Sequence, residues 1–343
     1  MDGNLRATTA GFAAALVVLA VLLYVVGVGP ILDALSRADP RFLALVLGAA
    51  TLWLLAWAMS LRTVLGVLGS PVSVLTSVLV YTAAVFANNV TPFGQAGGEP
   101  ISAYLIADAT NNDYENGLAA IASVDALNLV PSLSLAAVGV GYFAVTAALG
   151  QQLLVVAGVV ATLMLLIPAA GYAVWRNRVR VEELLAGVVT PVARALARVV
   201  PSREPPDRTA VLARVEGFFG ALERVATSRR QVLLALGFAT LGWLGLSGSL
   251  WLSLLAVGHQ VPFAAAMLVV PVSAIAGATP LPGGLGSIEA VLIALIVPIT
   301  SVTPAAAGAA VLIHRIATYW LPMLVGGGVA ALIGVNGASP TGG

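Results

Sequence analysis

Two polar stretches in an otherwise apolar chain carry the side chains that can do chemistry. The first reads Asn88-Asn89-Val90-Thr91-Pro92-Phe93-Gly94-Gln95-Ala96-Gly97-Gly98-Glu99-Pro100. The second reads Thr279-Pro280-Leu281-Pro282-Gly283-Gly284-Leu285-Gly286-Ser287-Ile288-Glu289. Each puts Thr-Pro ahead of a glycine-rich break and one glutamate behind it, where the chain turns apolar again. Glycine lets backbone approach a ligand closely. A helix that restarts after a break offers free N–H groups and partial positive charge to an anion such as phosphate. Glu99 and Glu289 can hold a cation, carry a proton or pair with an arginine. An ionisable side chain at membrane depth is a functional hypothesis by default.

A tight interhelical turn with its glutamate at the interface accounts for one such segment. Two matching segments, each after an apolar run of sixteen residues (72–87 and 263–278), favour the functional reading. The candidate substrate-binding residues are Asn88, Asn89, Thr91, Pro92, Gly97, Gly98 and Glu99 in the first break. In the second they are Thr279, Pro280, Pro282, Gly283, Gly284, Gly286 and Glu289. Asp125 and Asn128 lie about one helical turn apart, with Pro131 freeing a carbonyl nearby, so they can face the same cavity or serve packing. Arg315, after His314, can meet a buried carboxylate or a phosphate. His259 reads as a solvated turn residue, and Tyr319 and Trp320 as packing or interface aromatics.

The elements that must hold these residues follow from composition. With 59% hydrophobic and 9% charged residues and a mean hydropathy of +1.00, the chain departs far from a soluble domain, whose charged share is about 25%. Several apolar runs reach the roughly 20 residues that cross a hydrocarbon core. The fold class expected is all-α and polytopic, with about six to eight membrane-crossing helices and two re-entrant broken helices. The runs are Gly11–Val28, Phe42–Leu65, Val72–Ala87, Leu118–Leu149 as one helix kinked at Pro131, Leu153–Trp175, Val232–Val257, Phe263–Ala278, Ala290–Ile299 and Pro304–Ile333. The first reads as a retained helix rather than a cleaved signal, and the glycine-rich tail as disordered.

Three parts emerge: a membrane half over 1–175 with its break at 88–100, a basic segment over 176–230, and a second membrane half over 231–343 with its break at 279–289. All sixteen basic residues are arginine, and eleven lie between Arg176 and Arg230 against six acids. Such a segment belongs on the cytoplasmic side. Val211, Val215, Phe218, Leu222 and Val225 recur there at helical spacing, while Pro191 breaks a weaker pattern over Val181–Val200. Two interfacial helices, or a solvated elbow, are expected. Placing this segment inside puts both termini in the cytoplasm and opens the two breaks to opposite sides, the arrangement of an inverted repeat.

Catalytic signatures are missing: no Walker-type loop, no HExxH, no G-x-S-x-G elbow and no dinucleotide fingerprint. Zero cysteines exclude disulfides and thiol chemistry, and with two histidines they argue against a zinc site. No metal or cofactor is expected.

At the two breaks the chain resembles the flippase-like family built on the lysylphosphatidylglycerol synthase transmembrane region. The matching residues are Asn88-Asn89-Val90-Thr91-Pro92 with Gly98-Glu99, and Pro280-Leu281-Pro282-Gly283-Gly284-Leu285-Gly286 with Glu289. The first motif is looser, with Gln95-Ala96-Gly97 where a basic residue is expected. In the multiple peptide resistance factor proteins this membrane domain moves aminoacylated phospholipid between leaflets, and a separate soluble domain makes that lipid. The chain ends at Gly343 without room for such a domain, so synthase activity is not carried over. The resemblance implies translocation of a phospholipid or polyprenyl-linked sugar across a cell membrane by a protein that is not an enzyme. The rival expectations are a membrane partner of a glycosyltransferase or lipid synthase, docking through 176–230, and an ion-coupled transporter of a small solute.

Overall fold

The computed structural model describes residues 27–91, 95–146, 151–199 and 207–337, with isolated positions between 13 and 24. Most of the expected first span, Pro92, the linker 201–206 and the tail 338–343 lie outside the described residues.

Helix starts follow local capping chemistry. After a short helix, Val28–Ser36 (α1), the Asp39 carboxylate accepts the Arg41 N–H and Pro40 takes the first position of Pro40–Val67 (α2). Ser73 caps Val74–Val90 (α3) by accepting the Thr76 N–H. Gln95–Thr110 (α4) and Tyr114–Thr146 (α5) follow, and α5 runs unbroken through Pro131 as one helix. Gln151–Arg176 (α6) leads into Arg178–Val199 (α7) and Arg208–Thr227 (α8), so two helices fill the described part of the polar segment. Pro191 sits inside α7 rather than interrupting it. It lies on the exposed face, where the Gly187 carbonyl that loses its donor can be solvated.

Arg229–Ala256 (α9) returns to the bundle. Phe263–Ala274 (α10) tightens into a 3₁₀ turn at Ile275–Ala278, and a second short turn at Pro282–Gly284 precedes Ser287–Thr300 (α11). Thr303 caps Pro304–Arg315 (α12), a π turn covers Ile316–Trp320, and Leu321–Gly337 (α13) ends the described chain.

Among the described residues there is no strand. Six stretches of the described residues are long and apolar enough to cross a membrane: Pro40–Val67, Tyr114–Thr146, Leu154–Arg176, Arg229–Ala256, Pro282–Thr300 and Pro304–Val329. This is an all-α, multi-pass membrane protein. Helix α6 shows Val155, Leu165 and Leu166 outward, the surface expected of a helix facing lipid.

Two helical hairpins stand out. In the first, the Ser102 hydroxyl donates to the Ala84 carbonyl at 3.4 Å and to Asn88 Oδ1 at 3.5 Å, so α4 doubles back along α3. In the second, the Ser287 hydroxyl donates to the Ala276 carbonyl and meets the Thr279 hydroxyl, both at 2.9 Å. The first break is narrower than expected. Helix α3 continues through Asn88 and Asn89 to Val90, and α4 already includes Gly97, Gly98 and Glu99, leaving only 91–94 between them. The glycines and Pro100 do not break this helix, because Gly98 is packed directly on Asn88, and only a residue without a side chain fits there.

The packing is reciprocal. The helices ahead of the hairpins, α2 and α9, form the most extensive pair among the described residues. There the Trp57 indole donates to the Ala239 carbonyl at 3.2 Å, and Ser60 to the Ala235 carbonyl at 3.3 Å. A helix following each hairpin packs on the first arm of the other: α5 on α10, and α13 on α3. Each contact is made at a glycine. A Cβ on Gly139 of α5 would sit 2.8 Å from the Ala264 carbonyl oxygen, and one on Gly326 of α13 would collide with the Thr82 carbonyl and the Phe86 side chain.

Candidate functional site

The second break is built from three left-handed glycines, Gly283 (φ 55°), Gly284 (φ 62°) and Gly286 (φ 84°). A side chain would be strained in that region, which explains the residue type. Gly286 caps α11, and its N–H donates to Glu289 Oε2 at 2.6 Å. The other carboxylate oxygen, Oε1, accepts Arg315 Nε at 2.6 Å. Arg315 also donates to the Gly283 carbonyl at 3.3 Å, and its guanidinium carbon stands 4.6 Å from the centre of the Tyr319 ring. The side chains of Glu289 and Arg315 are 3% and 11% exposed. Each charge is thus matched by the other and by backbone, the condition under which a buried pair is tolerated. Of the two partners expected for Arg315, the structure shows the carboxylate.

The two breaks meet in space. Gly283 rests on the backbone of Asn89, and a Cβ there would fall 3.0 Å from Asn89 Oδ1 and 2.5 Å from the Tyr319 ring. The Tyr319 hydroxyl donates to the Asn89 carbonyl at 3.4 Å. That carbonyl belongs to the last turn of α3, where helix carbonyls lack an intrahelical partner. The π turn over Ile316–Trp320 carries Tyr319, and such turns recur at functional sites. Tyr319 is therefore the hinge of the cluster, touching Arg315 on one side and the first hairpin on the other.

The first break has a different character. Thr91 ends α3 and its hydroxyl donates to the Ala87 carbonyl. Asn88 Oδ1 accepts from Ser102, and Gly97 is half-buried at the start of α4. Glu99 and Asp125 are both half-buried, on α4 and on α5. Asn128, one turn on, is 7% exposed. Its backbone carbonyl, in the turn opened by Pro131, accepts the Trp243 indole N–H at 3.0 Å. Its side-chain Oδ1 has no hydrogen-bond partner among the described residues.

The remaining candidates divide. Thr279 braces the second hairpin through Ser287, Pro280 is exposed and Pro282 is buried in the turn. His314 is buried, and its Nδ1 lies 3.0 Å from the Ser249 hydroxyl, a packing contact with α9. Glu99 and Glu289 therefore sit in unlike settings: Glu289 is buried against a guanidinium, whereas Glu99 is half-buried. The roles of Tyr319 and Ser287 were not evident from residue type; the recurrence of a hydroxyl beside each glutamate-bearing break is the signal that would have pointed to Ser287.

The family described as the lysylphosphatidylglycerol synthase TM region matches residues 9–326. The chain belongs to this family. A UPF0104 membrane protein of Methanothermobacter thermautotrophicus is similar, with 26% identity covering 94% of this chain and 92% of that protein. A UPF0104 membrane protein of Pyrococcus horikoshii is 24% identical over 90% of this chain and 91% of its own length. Both hairpins and the Glu289–Arg315 pair fall inside the family region. The names of these relatives place them in a membrane and specify no substrate.

Proposed function

We propose that the protein is a transporter, not an enzyme, that carries a lipid with a phosphate-bearing polar headgroup between leaflets by alternating access. The observation that carries this reading is the meeting of the two hairpin breaks, one from each half of an apolar bundle, at Asn89, Gly283, Glu289, Arg315 and Tyr319. Backbone polar groups cost several kcal/mol each in lipid unless satisfied, so irregular backbone at that depth favours a polar, ligand-accepting cavity. The hairpin arms support a re-entrant reading. The first arm of each hairpin, α3 with 17 residues and α10 with 12, extends about 26 Å and about 18 Å, short of a core of about 30 Å. The reciprocal pairing of α2 with α9, α5 with α10 and α13 with α3 supports an inverted repeat, whose halves can rock about a midplane site.

Arg315 is the phosphate ligand in waiting. A headgroup phosphate competes with Glu289 for the guanidinium, and the displaced carboxylate can then accept from an amine or sugar hydroxyl. The basic segment α7–α8 and both termini lie in the cytoplasm in this reading. Purified protein in liposomes, with fluorescent phospholipids and polyprenyl-phosphate sugars scored by an external quencher, tests it. Protein-dependent movement that falls in Arg315→Gln supports the assignment. Failure of folded protein to move any of these lipids refutes it.

A further inference from the structure

We infer that α7 is a membrane-surface anchor: its exposed apolar face seats in the headgroup layer of the leaflet where α6 ends, and the arginines beside it hold anionic lipid. Three sectors run along this helix. Glu182, Ala186 and Thr190, each four positions on from the last, are buried, and α7 packs mainly on α8. Arg180, Glu183 and Gly187 share a second, exposed sector at spacings of three and four. Leu184 and Val188, with Leu185 and Val189 beside them, form the third sector. They are large and apolar, yet Leu184 and Val188 are 68% and 64% exposed. No large apolar side chain of α8 is exposed among the described residues, so the uncovered apolar surface of this helix pair belongs to α7.

The placement of α7 indicates what covers that surface. Arg214 and Arg224 are ten positions apart on α8, about 15 Å along its axis. They nevertheless reach Glu115 at 3.2 Å and Asn116 at 3.4 Å, neighbours at the start of α5. Helix α8 therefore crosses the end of the spanning helix α5 instead of running beside it. Near the end of α8, Glu223 accepts Arg178 from the start of α7 at 2.8 Å, so α7 lies antiparallel to α8 at the same end of the bundle. Arg178 fastens this corner. Its guanidinium also donates to Glu182 at 2.6 Å, and its central carbon stands 5.6 Å and 5.8 Å from the ring centres of Trp175 and Phe219.

Only Asn177 separates α6 from α7, so α7 starts at the depth at which α6 leaves the membrane. Tyr172 and Trp175, both exposed near the end of α6, mark that depth as the aromatic belt of the interface. Val179, exposed in the first turn of α7, carries apolar surface on from this belt. An amphipathic helix in such a place buries its apolar face at the boundary of headgroups and acyl chains. The belt at the root of α7 favours lipid over protein as the occupant. Charge selects the lipid. Arg176 and Arg180 are exposed at this corner, as are Arg229 and Arg230 where α9 enters the bundle from the same end. Arginines so placed attract anionic headgroups, and salt screens the attraction. The contact does not depend on what the bundle carries, so the result of the transport assay has no bearing on it.

The natural chain has no cysteine, so single spin labels can report the seat of α7. Full-length protein labelled at Glu183→Cys, Leu184→Cys, Gly187→Cys or Val188→Cys is placed in nanodiscs of phosphatidylcholine, alone or in equal parts with phosphatidylglycerol. Collision of each label with oxygen is compared with its collision with a water-soluble nickel chelate. All four positions are exposed, as are Arg176 and Arg180, so the substitutions leave the core untouched. The ratio of oxygen to nickel collision should be several-fold higher at 184 and 188 than at 183 and 187. Phosphatidylglycerol should raise the ratio at 184 and 188, and high salt or the pair Arg176→Gln with Arg180→Gln should remove that gain. Equal ratios at all four positions put the apolar face in water and overturn the anchor. Labels at 184 and 188 shielded from both collision partners mean that protein covers the face, a second copy or a docked partner, and overturn lipid as the occupant. A ratio that ignores phosphatidylglycerol, or a gain that survives the arginine substitutions, overturns the selection of anionic lipid by these arginines.

Discussion

Arg315 sits where an uncompensated charge would not be tolerated, and Glu289 is what allows it. Removing one partner of a buried pair costs about 3–5 kcal/mol, whereas replacing both by apolar groups is often neutral. Glu289→Leu and Arg315→Met are each expected to lower the melting temperature strongly, and the double variant to recover most of the loss, in a thermal unfolding series in detergent. Additive losses in the double variant would mean that the two charges do not act as a pair. Gly283→Ala should also destabilise, by about 1–2 kcal/mol for the left-handed backbone alone, before the collision with the Tyr319 ring. At this scale the sequence was legible as an inventory and not as a set of pairs. Arginine beside a buried carboxylate is a partnership that residue type suggests. The contact of Tyr319 with Asn89 is one that residue type does not suggest, because 230 positions separate the two residues.

The hairpins depend on glycines that face the opposite half. Overpacking costs about 1–3 kcal/mol, so Gly326→Ala should weaken the first hairpin although it lies far along the chain. Hydrogen exchange over 74–90 is expected to rise in that variant, and exchange over 263–274 in Gly139→Ala. Gly141→Ala and Gly328→Ala are the controls, because a Cβ at either meets nothing within 4 Å. Equal effects from all four variants would show that the close contacts are unimportant. Helix identity was readable from apolar run length: α2, α5, α6 and α9 each fall on an expected span. The narrowness of the first break was not readable, because Asn88, Asn89, Gly97 and Gly98 all disfavour helix by local propensity. Tertiary packing of Gly98 on Asn88 and of Ser102 on Ala84 overrides that preference, and no local pattern records it.

On the scale of the whole molecule, the orientation proposed above can be checked directly because the natural chain has no cysteine. Thr227→Cys on α8 should be shielded from an impermeant maleimide in intact cells, and Gln260→Cys, between α9 and α10, should react. The opposite pattern would invert the orientation. The threefold reciprocity of helix pairs could not be read from the sequence, since the halves share a motif but hardly any other residues. It also bears on how the protein is made. Helix α3 is synthesised early, yet one of the surfaces it packs against, at Thr82 and Phe86, belongs to α13, the last described helix to leave the ribosome. Until then the Thr82–Phe86 face of the first hairpin has been inserted without this cover. The nascent N-terminal half is consequently a substrate for chaperone or protease during translation, and a chain truncated after Trp320 should be degraded in its first half, far upstream of the missing residues.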